Sequence, residues 1–494
     1  MSHMKEQAEE KCLSPEELDK LAKDVLADGV VDFDETTKLL GFMTPSVAQS
    51  EKYAEFKRLL DRVRADGVIT PEESAEVAAA LKKLTARRSV PFSVTLRLVL
   101  MMFLQMMTFP VWFNTVVPYI RTLPGGEKWV PLCGILMGVG VFASPVVCML
   151  ADRFLDSGKV LALCNLGAAL ALGGAYLTTN ATAIAGLLLV VTCLLMPTWS
   201  LVSAIAMNHA SPASFPYIRV FGTLGWAAAA LFSVVAIGCF GIADFDKSPY
   251  IFSCGAATCL VACLLSLCLP ATPPQASGKK ASLGDALGLK ALALFKDPEL
   301  RTMFVILCIS MLAFQWYFGY NTMYLDESGF KYLNLTQSLG QVAELGFLVI
   351  LPFLFKKLGF KWALMVGFGA LAFRYGCFSA AALTGCHALD FGGILIHGLI
   401  FGAIVVNVQM HIAEKAPDDI RNQAQGLVMI LTSGVGDFLS IAVFYPVLSF
   451  CSRTTADGHI LHNWSVPFLV SFGIALLSMF LLLVFYREGR KTAR

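Results

Sequence analysis

Two kinds of hydrophobic patterning divide the chain near residue 90. In the first segment, residues 1–88, acidic and basic residues alternate among helix formers with little continuous hydrophobicity, which predicts a small soluble helical domain. Beyond it, apolar residues run for roughly 20 positions at a time, and a helix of that length crosses a hydrocarbon layer of about 30 Å. The pattern predicts a soluble domain followed by a bundle of membrane-spanning helices.

Twelve apolar runs follow the first segment, and a stretch containing Pro, Gly and Lys over residues 270–299 separates them into two sets of six. The runs cover approximately 92–119, 128–150, 159–178, 181–207, 216–239, 249–269, 300–324, 336–355, 361–383, 390–412, 423–449 and 465–486. The fold class that follows is an all-α, polytopic membrane protein with one six-helix half over 92–269 and another over 300–488. The central loop lies between the two halves.

A sequence unit occurs twice in the N-terminal segment. LAKDVLADGVVDFDETTKLL (21–40) and LLDRVRADGVITPEESAEVA (59–78) share a helix, the tetrapeptide A-D-G-V and an acidic start to the next helix, which predicts two helix-turn-helix repeats. The first copy partly matches an EF-hand calcium loop, but Leu26 and, in the second copy, Arg62 occupy ligand positions. We therefore favour a structural role in which each glycine permits a tight turn and each acidic residue caps a helix; calcium binding is the alternative. The matching positions of the first copy are Asp24, Asp28, Gly29, Asp32 and Glu35.

The two D-G-x-[IV]-x-x-x-E units give this segment a weak resemblance to a tellurite-resistance-B-like helical domain. They indicate no particular partner for it.

Composition supports a membrane location. The 494 residues are 56% hydrophobic and 15% charged, and the mean hydropathy is +0.66, which is too apolar for a water-soluble protein of this size. Most of the fourteen cysteines lie inside apolar runs without metal-type spacing, so we interpret them as packing residues and predict no metal site. A net charge of +2 is too small to indicate nucleic-acid binding.

Lysine and arginine predict the orientation. Twenty of these residues lie directly before the first span, in the even-numbered loops or in the C-terminus, whereas five lie in the odd-numbered loops. Because cytoplasmic loops are enriched in Lys and Arg, both termini, the N-terminal domain and the central loop are predicted to be cytoplasmic. The protein is then a multi-pass protein of the cell (inner) membrane.

Polar residues inside the spans are informative because a charged side chain in hydrocarbon costs about 2.5–3.5 kcal/mol. Gln341 and Glu344 are three positions apart and face the same side of a helix. Arg219 and Thr223 are four apart, with Trp226 on the same face. These faces, one in each half, predict a site that holds a polar, ring-bearing solute by hydrogen bonds and stacking.

The segment SFPYIRVFGTLGW (214–226) resembles the F-P-x-I-R-x-x-G-T-x-G-aromatic signature of the nucleoside:proton symporter family of the major facilitator superfamily. Further matches cover nearly all of residues 95–488 in order. They are MPTWSLVSAI (196–205), DALGLKALALFKDPEL (285–300), QVAELGFLVILPFL (341–354), ALAFRYGCF (370–378) and IRNQAQGLVMI (420–430). The resemblance implies nucleoside import driven by the proton gradient, with no cofactor, and two halves that open alternately to either side of the bilayer.

The resemblance also implies a set of substrate-binding residues. Gln315, Gln341 and Glu344 match the family pattern, as do Arg219 and Thr223. Other positions depart from it. Trp226 stands where the family has a phenylalanine, Phe318 where it has an asparagine and His397 where it has a tyrosine. Gly402, which follows the matching Phe401, stands where the family has an aspartate.

We assign proton coupling to Glu344. Protonation from outside and release inside would alter its hydrogen bonds to the substrate, and with Gly402 at the aspartate position more of the coupling falls on this one carboxyl. The structural alternative for Glu344 is a buried ion pair with Arg374 or another basic residue, which would hold helices together.

Two other functions stay open: transport of another polar solute such as a sugar, or a non-transporting membrane sensor that uses the N-terminal domain. The polar residues in both halves speak against the sensor, because such a bundle would not need them.

Overall fold

The computed structural model describes residue 25 and residues 31–41, 51–65, 67, 69–85, 91–210, 214–274, 289–417, 420–454 and 460–487. The chain divides into two compact units, Met1–Ser89 and Val90–Arg494. Asp24, Leu26, Asp28 and Gly29 of the possible calcium loop lie outside the described residues, as does most of the central loop.

The first unit contains three described helices, α1 (Phe33–Gly41), α2 (Glu51–Val63) and α3 (Pro71–Thr85). Their apolar faces meet in a small core that includes Leu39, Leu60 and Val77, none of them exposed. The backbone N–H of Val31 donates to the Ser74 hydroxyl over 2.7 Å and so joins the two repeats. The amphipathic helices of the charged segment therefore form their own core.

The helices α1 and α3 begin with the same capping arrangement. The Asp32 carboxylate accepts from the Glu35 N–H over 2.7 Å, and the Glu35 carboxylate accepts from the Asp32 N–H over 3.0 Å. Thr70 and Glu73 repeat this exchange ahead of α3. These reciprocal bonds satisfy free N–H groups at the helix starts, which is the structural role favoured from the sequence.

The second unit is a bundle of long helices. Eleven segments of its described residues are long and apolar enough to cross a membrane, and the helix that carries Gln341 and Glu344 completes a set of twelve. The helices are α4 (Phe92–Arg121), α5 (Leu136–Arg153), α6 (Ser157–Tyr176), α7 (Ala181–His209), α8 (Phe215–Phe240), α9 (Tyr250–Leu267), α10 (Pro298–Glu327), α11 (333–358), α12 (360–384), α13 (His387–Lys415), α14 (421–450) and α15 (Ser465–Phe485). A short hairpin of β1 (Ser452–Thr454) and β2 (Ile460–His462) joins α14 to α15.

Several spans are interrupted. α4 consists of Phe92–Met107, Pro110–Phe113 and Val116–Arg121, and α8 consists of Phe215–Ala228 and Ala230–Phe240. Wider π-helical turns occur within α13 at Gly402–Val406 and within α14 at Ile430–Val435. Such turns redirect side chains and leave backbone groups free for other partners.

α11 and α12 are joined by a single-residue turn. Gly359 adopts φ 73° and ψ 175°, a conformation that side-chain-bearing residues rarely reach, and the chain reverses there without a loop. The two helices therefore form a hairpin that turns at Gly359.

Helices α4–α9 form one half and α10–α15 the other. We call the end of the bundle where α4 ends and α5 begins the outer end, since the charge distribution predicts that it faces away from the cytoplasm. Hydrogen bonds and ion pairs between described residues of the two halves lie in the outer part of the bundle. The pairs are Asn114–Asn334, Asn334–Pro110, Asn334–Asp246, Arg121–Glu327, Arg121–Ile460, Lys247–Asp326 and Gly138–Asp437.

The structure is thus closed at the outer end. The Arg121 guanidinium contacts the Glu327 carboxylate over 2.7 Å, and Lys247 Nζ lies 3.0 Å from Asp326. Glu327 also accepts from His462 Nδ1 over 2.8 Å and from Trp464 Nε1 over 2.7 Å. Breaking this contact therefore affects several partners at once.

Candidate transport site

The α8 face carries Arg219, Thr223 and Trp226 on successive turns, as predicted. Two glycines between them explain the local sequence. A Cβ at Gly222 would lie 2.6 Å from Arg219 Nη1, and a Cβ at Gly225 would lie 2.0 Å from the carbonyl oxygen of Phe103. Glycine at these positions allows the guanidinium to lie along α8 and allows α4 to approach closely.

Trp226 belongs to an aromatic cluster. Its ring centroid lies 5.6 Å from that of Trp199 and 6.2 Å from that of Phe109, and Trp199 and Phe109 are 5.6 Å apart. The indole N–H groups of both tryptophans are buried without a hydrogen-bond acceptor in the described structure. A buried donor without a partner costs free energy, so a bound molecule with acceptor atoms would supply the missing hydrogen-bond partners. Trp199 was not identified from the sequence as a site residue, although it lies in the matching segment MPTWSLVSAI.

The α11 face presents Gln341 and Glu344 toward the α8 face. The Glu344 carboxylate lies within electrostatic range of the Arg219 guanidinium, across the boundary between the halves. Among the described residues, Glu344 makes no hydrogen bond, and the Gln341 Oε1 atom has no partner. The two predicted faces therefore meet, with unused hydrogen-bonding capacity between them.

The charged pair is only partly buried. Arg219 is exposed and Glu344 is half-buried, so water reaches both side chains. This placement suits a polar solute that must pass between the halves.

Gln315 and Phe318 lie on α10. The Gln315 side-chain amide donates over 3.0 Å to the backbone carbonyl of Thr432, within the π-helical turn of α14. This bond uses a carbonyl that the wider turn frees and fixes the Gln315 side chain. Phe318 is half-buried, and its ring centroid lies 5.5 Å from that of His397.

His397 and Phe401 lie on α13. His397 is 1% exposed, and its Nδ1 lies 2.9 Å from Arg374 Nη2. Arg374 is fully buried on α12 and also donates to the backbone carbonyl of Gly393 over 3.0 Å. The structure therefore pairs Arg374 with His397 and places Glu344 opposite Arg219, so the Glu344–Arg374 ion pair considered from the sequence is not formed.

Glycines on α13 bring this helix against α11. A Cβ at Gly398 would lie 2.4 Å from Glu344 Cα, so the two backbones nearly touch. At Gly402 a Cβ would lie 1.8 Å from Leu351 Cδ1. Leucine thus fills the space where the family resemblance places an aspartate side chain.

Two other intramembrane polar groups have structural roles. Asp437 on α14 is 3% exposed and accepts from the Gly138 N–H of α5 over 2.8 Å. Gln105 of α4 exchanges hydrogen bonds with Asn165 and donates to Thr198 over 2.7 Å, which ties α4, α6 and α7 together. Buried polar groups satisfied in this way join helices.

Comparison with known proteins gives the family. The model of the nucleoside H+ symporter family matches residues 92–491. This chain belongs to that family. Its fold is the two-half transporter fold, and it is a membrane transporter rather than an enzyme.

Two Escherichia coli (strain K12) proteins are among its relatives. YegT is 30% identical over 412 residues, which cover 80% of this chain and 94% of YegT. Xanthosine permease is 27% identical over 414 residues, covering 80% of this chain and 95% of that protein. A crystal structure of nucleoside transporter NupG superimposes with a TM-score of 0.68 at 23% identity, covering 81% of this chain and all of that one. The match confirms the all-α, two-half architecture. Neither relative accounts for the N-terminal unit, which lies outside the family match.

Proposed function

We propose that this chain imports nucleosides together with protons and binds them between the α8 and α11 faces. The observation that carries the proposal is the approach of Arg219 and Glu344 from opposite halves, at positions that water reaches. A solute bound there contacts both halves, so its binding can be linked to their relative motion.

The chemistry of the lining suits a nucleoside. Trp226 and Trp199 offer aromatic surfaces and two indole donors without acceptors. Gln341 offers a free amide oxygen, and Arg219 with Thr223 offers donors for hydroxyl or carbonyl oxygens. A molecule with a flat ring at one end and several hydroxyls at the other satisfies both parts of the site. The side of the site that belongs to the C-terminal half would be formed by Gln315, Phe318, His397 and Phe401.

Coupling to protons would run through Glu344. When charged, Glu344 attracts Arg219 and draws α11 toward α8. When a proton arrives from the outer side, that attraction is lost, and both side chains are free to bind the solute. Release of the proton inward restores the attraction after the solute has left. The energy source is the proton gradient, and no cofactor is needed.

The distribution of Lys and Arg supports a cell inner membrane location with both termini in the cytoplasm. In that orientation the closed outer end faces away from the cytoplasm and the site opens inward. The first unit, with its own core, would lie in the cytoplasm as a separate domain.

Uptake into proteoliposomes tests the function. We expect tritiated uridine or adenosine to accumulate when the outside is acidic, and to accumulate less when a protonophore removes the gradient. Failure to take up either nucleoside would refute the proposal and favour another polar solute or the sensor. Uptake that ignores the gradient would refute proton coupling alone.

Glu344→Gln tests the coupling residue, since glutamine keeps the size of the side chain and cannot carry the proton. We expect this variant to lose accumulation while keeping nucleoside exchange across the membrane. Asp437→Asn is the matched control, because the hydrogen bond that Asp437 accepts from Gly138 is compatible with an amide oxygen. Accumulation by Glu344→Gln at the unmodified rate would remove Glu344 from the coupling role.

A further inference from the structure

Arg374 is a buried cation that transport as proposed above does not use. It is 0% exposed, and among the described residues no carboxylate lies within ion-pair distance of its guanidinium. Its partners are the Gly393 carbonyl at 3.0 Å, His397 Nδ1 at 2.9 Å and the ring of Tyr317, whose centroid lies 4.1 Å from the guanidinium carbon. A charge that is buried this deeply without a counter-ion calls for a function.

The contact with His397 fixes the proton positions on the imidazole. A guanidinium has only N–H donors, so the 2.9 Å contact requires His397 Nδ1 to act as the acceptor. An imidazole whose Nδ1 accepts carries its single proton on Nε2. Charging the ring would place an N–H against an N–H of the guanidinium, so the contact also opposes a second proton.

The other groups around His397 do not supply a competing interaction. Tyr317 and Phe314 stack on the ring with centroids at 5.3 and 6.2 Å, and Phe318 meets its edge at 5.5 Å. The titratable or charged groups that face it are Arg374 from α12, Tyr317 from α10 and, through the close approach at Gly398, Glu344 from α11. Within the described residues Nε2 has no hydrogen-bond partner, so its proton is available.

We propose that Arg374 is a positioning residue that holds His397 as a hydrogen-bond donor through Nε2, so that His397 recognises an acceptor on the solute. This inference rests on the proposed nucleoside site. A tyrosine at this position, as the family resemblance leads one to expect, can donate or accept. His397 held by Arg374 only donates, so the site selects a ring carbonyl, an unprotonated ring nitrogen or a ribose oxygen there.

Nitrogen-15 NMR of histidine-labelled protein in nanodiscs tests the proton positions without relying on transport. His397 is assigned by comparison with His397→Tyr. We expect a neutral ring with the proton on Nε2 at every pH from about 5.5 to 8. A proton on Nδ1, or a second proton gained within this range, would overturn the inference whether or not the protein carries nucleosides.

The Arg374→Met variant tests the role in recognition. Without the guanidinium, His397 can take a second proton. We measure the KM for nucleoside exchange with equal pH on both sides of the membrane. Relative to the unmodified protein, we expect this KM to change several-fold between pH 5.5 and 8. In the His397→Tyr background the same Arg374 substitution should add no such pH dependence. An unchanged pH profile in Arg374→Met, or an equal change in the tyrosine background, would contradict the proposal. If Arg374→Met does not fold, the NMR experiment on the unmodified protein still decides it.

Discussion

Leu351 occupies the space that a side chain at position 402 would need, because a Cβ on Gly402 would lie 1.8 Å from Leu351 Cδ1. Leu351 is 2% exposed, so it has little room to move aside. Packed hydrocarbon therefore lies between α11 and α13 where the family resemblance places a carboxyl. This exchange fits a site in which Glu344 is the coupling carboxyl.

We expect Gly402→Ala to destabilise the protein by about 1–3 kcal/mol, since even one methyl group overpacks the contact with Leu351. The thermal midpoint of the purified protein measures this. Gly369→Ala is the control, because no atom lies within 4 Å of a Cβ there. In a Leu351→Ala background the Gly402 substitution should have little further effect on the thermal midpoint. An equal effect in both backgrounds would show that the contact with Leu351 does not cause the destabilisation.

Substitutions of Trp226 should separate stacking from hydrogen bonding. Removing the ring in Trp226→Ala should weaken nucleoside binding by about 1–3 kcal/mol, the usual value for stacking of a base on an aromatic ring. Trp226→Phe keeps a ring and should lose less. Equilibrium binding of a labelled nucleoside measures both, with Trp362→Ala, which changes an exposed tryptophan on α12, as the control. Equal losses for the alanine and phenylalanine variants would argue against stacking.

The ion pair of Arg121 and Glu327 should hold the outer end closed. Its two side chains are 14% and 10% exposed, so the pair is only partly screened by water. We expect Glu327→Gln to shift the balance toward the outward-open form by about 1–3 kcal/mol. Distances between spin labels on the outer ends of α4 and α10 would report this shift.

The matched control for Glu327→Gln is Lys415→Gln, which removes a 2.9 Å ion pair with Glu299 inside the C-terminal half. That variant should leave the distance distribution unchanged. A shift of the same size in both variants would mean that the effect is not specific to the contact between the halves.

Asp246 should make the outer end sensitive to pH. It lies outside the spans, is 2% exposed and accepts from Ser233 over 2.8 Å and from the Asn334 N–H over 3.2 Å, at the edge of a cavity of about 430 Å³. Burial raises the pKa of Asp246 above its usual value despite these hydrogen bonds. Opening the outer end would return the carboxyl to water and its pKa to the usual range.

The sign of this pH effect follows from the two pKa values. The Asp246 carboxyl has a higher pKa in the closed form than in the open form, so the closed form binds the proton more tightly. Lowering the outside pH from above the closed-form pKa toward the ordinary pKa of an aspartate therefore favours closure. We therefore expect a cysteine placed at Leu333, which lines the same cavity and is 1% exposed in the closed form, to react more slowly with an impermeant thiol reagent as the outside becomes acidic. Asp246→Asn should abolish this trend. Faster labelling in acid, or a trend that survives in the asparagine variant, would contradict the assignment.

Much of the fold could be predicted from the sequence, because long apolar runs and their helical spacing are local properties. α11 and α12 lie at 333–358 and 360–384, within a few residues of the predicted runs at 336–355 and 361–383. The face shared by Gln341 and Glu344 was likewise predictable from spacing. That this face lies opposite the α8 face was predicted by comparing the polar residues within the spans of the two halves.

Other contacts have no local signal. Arg374 and His397 are 23 positions apart on different helices, and no spacing rule connects them. The bond from Gln315 to the Thr432 carbonyl depends on a π-helical turn that hydrophobic periodicity does not reveal. Leu351 beside Gly402 is a matter of side-chain volume across two helices. Such features require the packed structure.

The contacts that close the outer end also have a kinetic consequence. In the orientation proposed above, the empty carrier must break the polar bonds between described residues of the two halves before it can open outward. A carrier that is loaded from inside gains solute contacts that offset part of this loss. Net uptake would then be limited by the return of the empty carrier, and exchange of internal for external solute would proceed faster than net uptake.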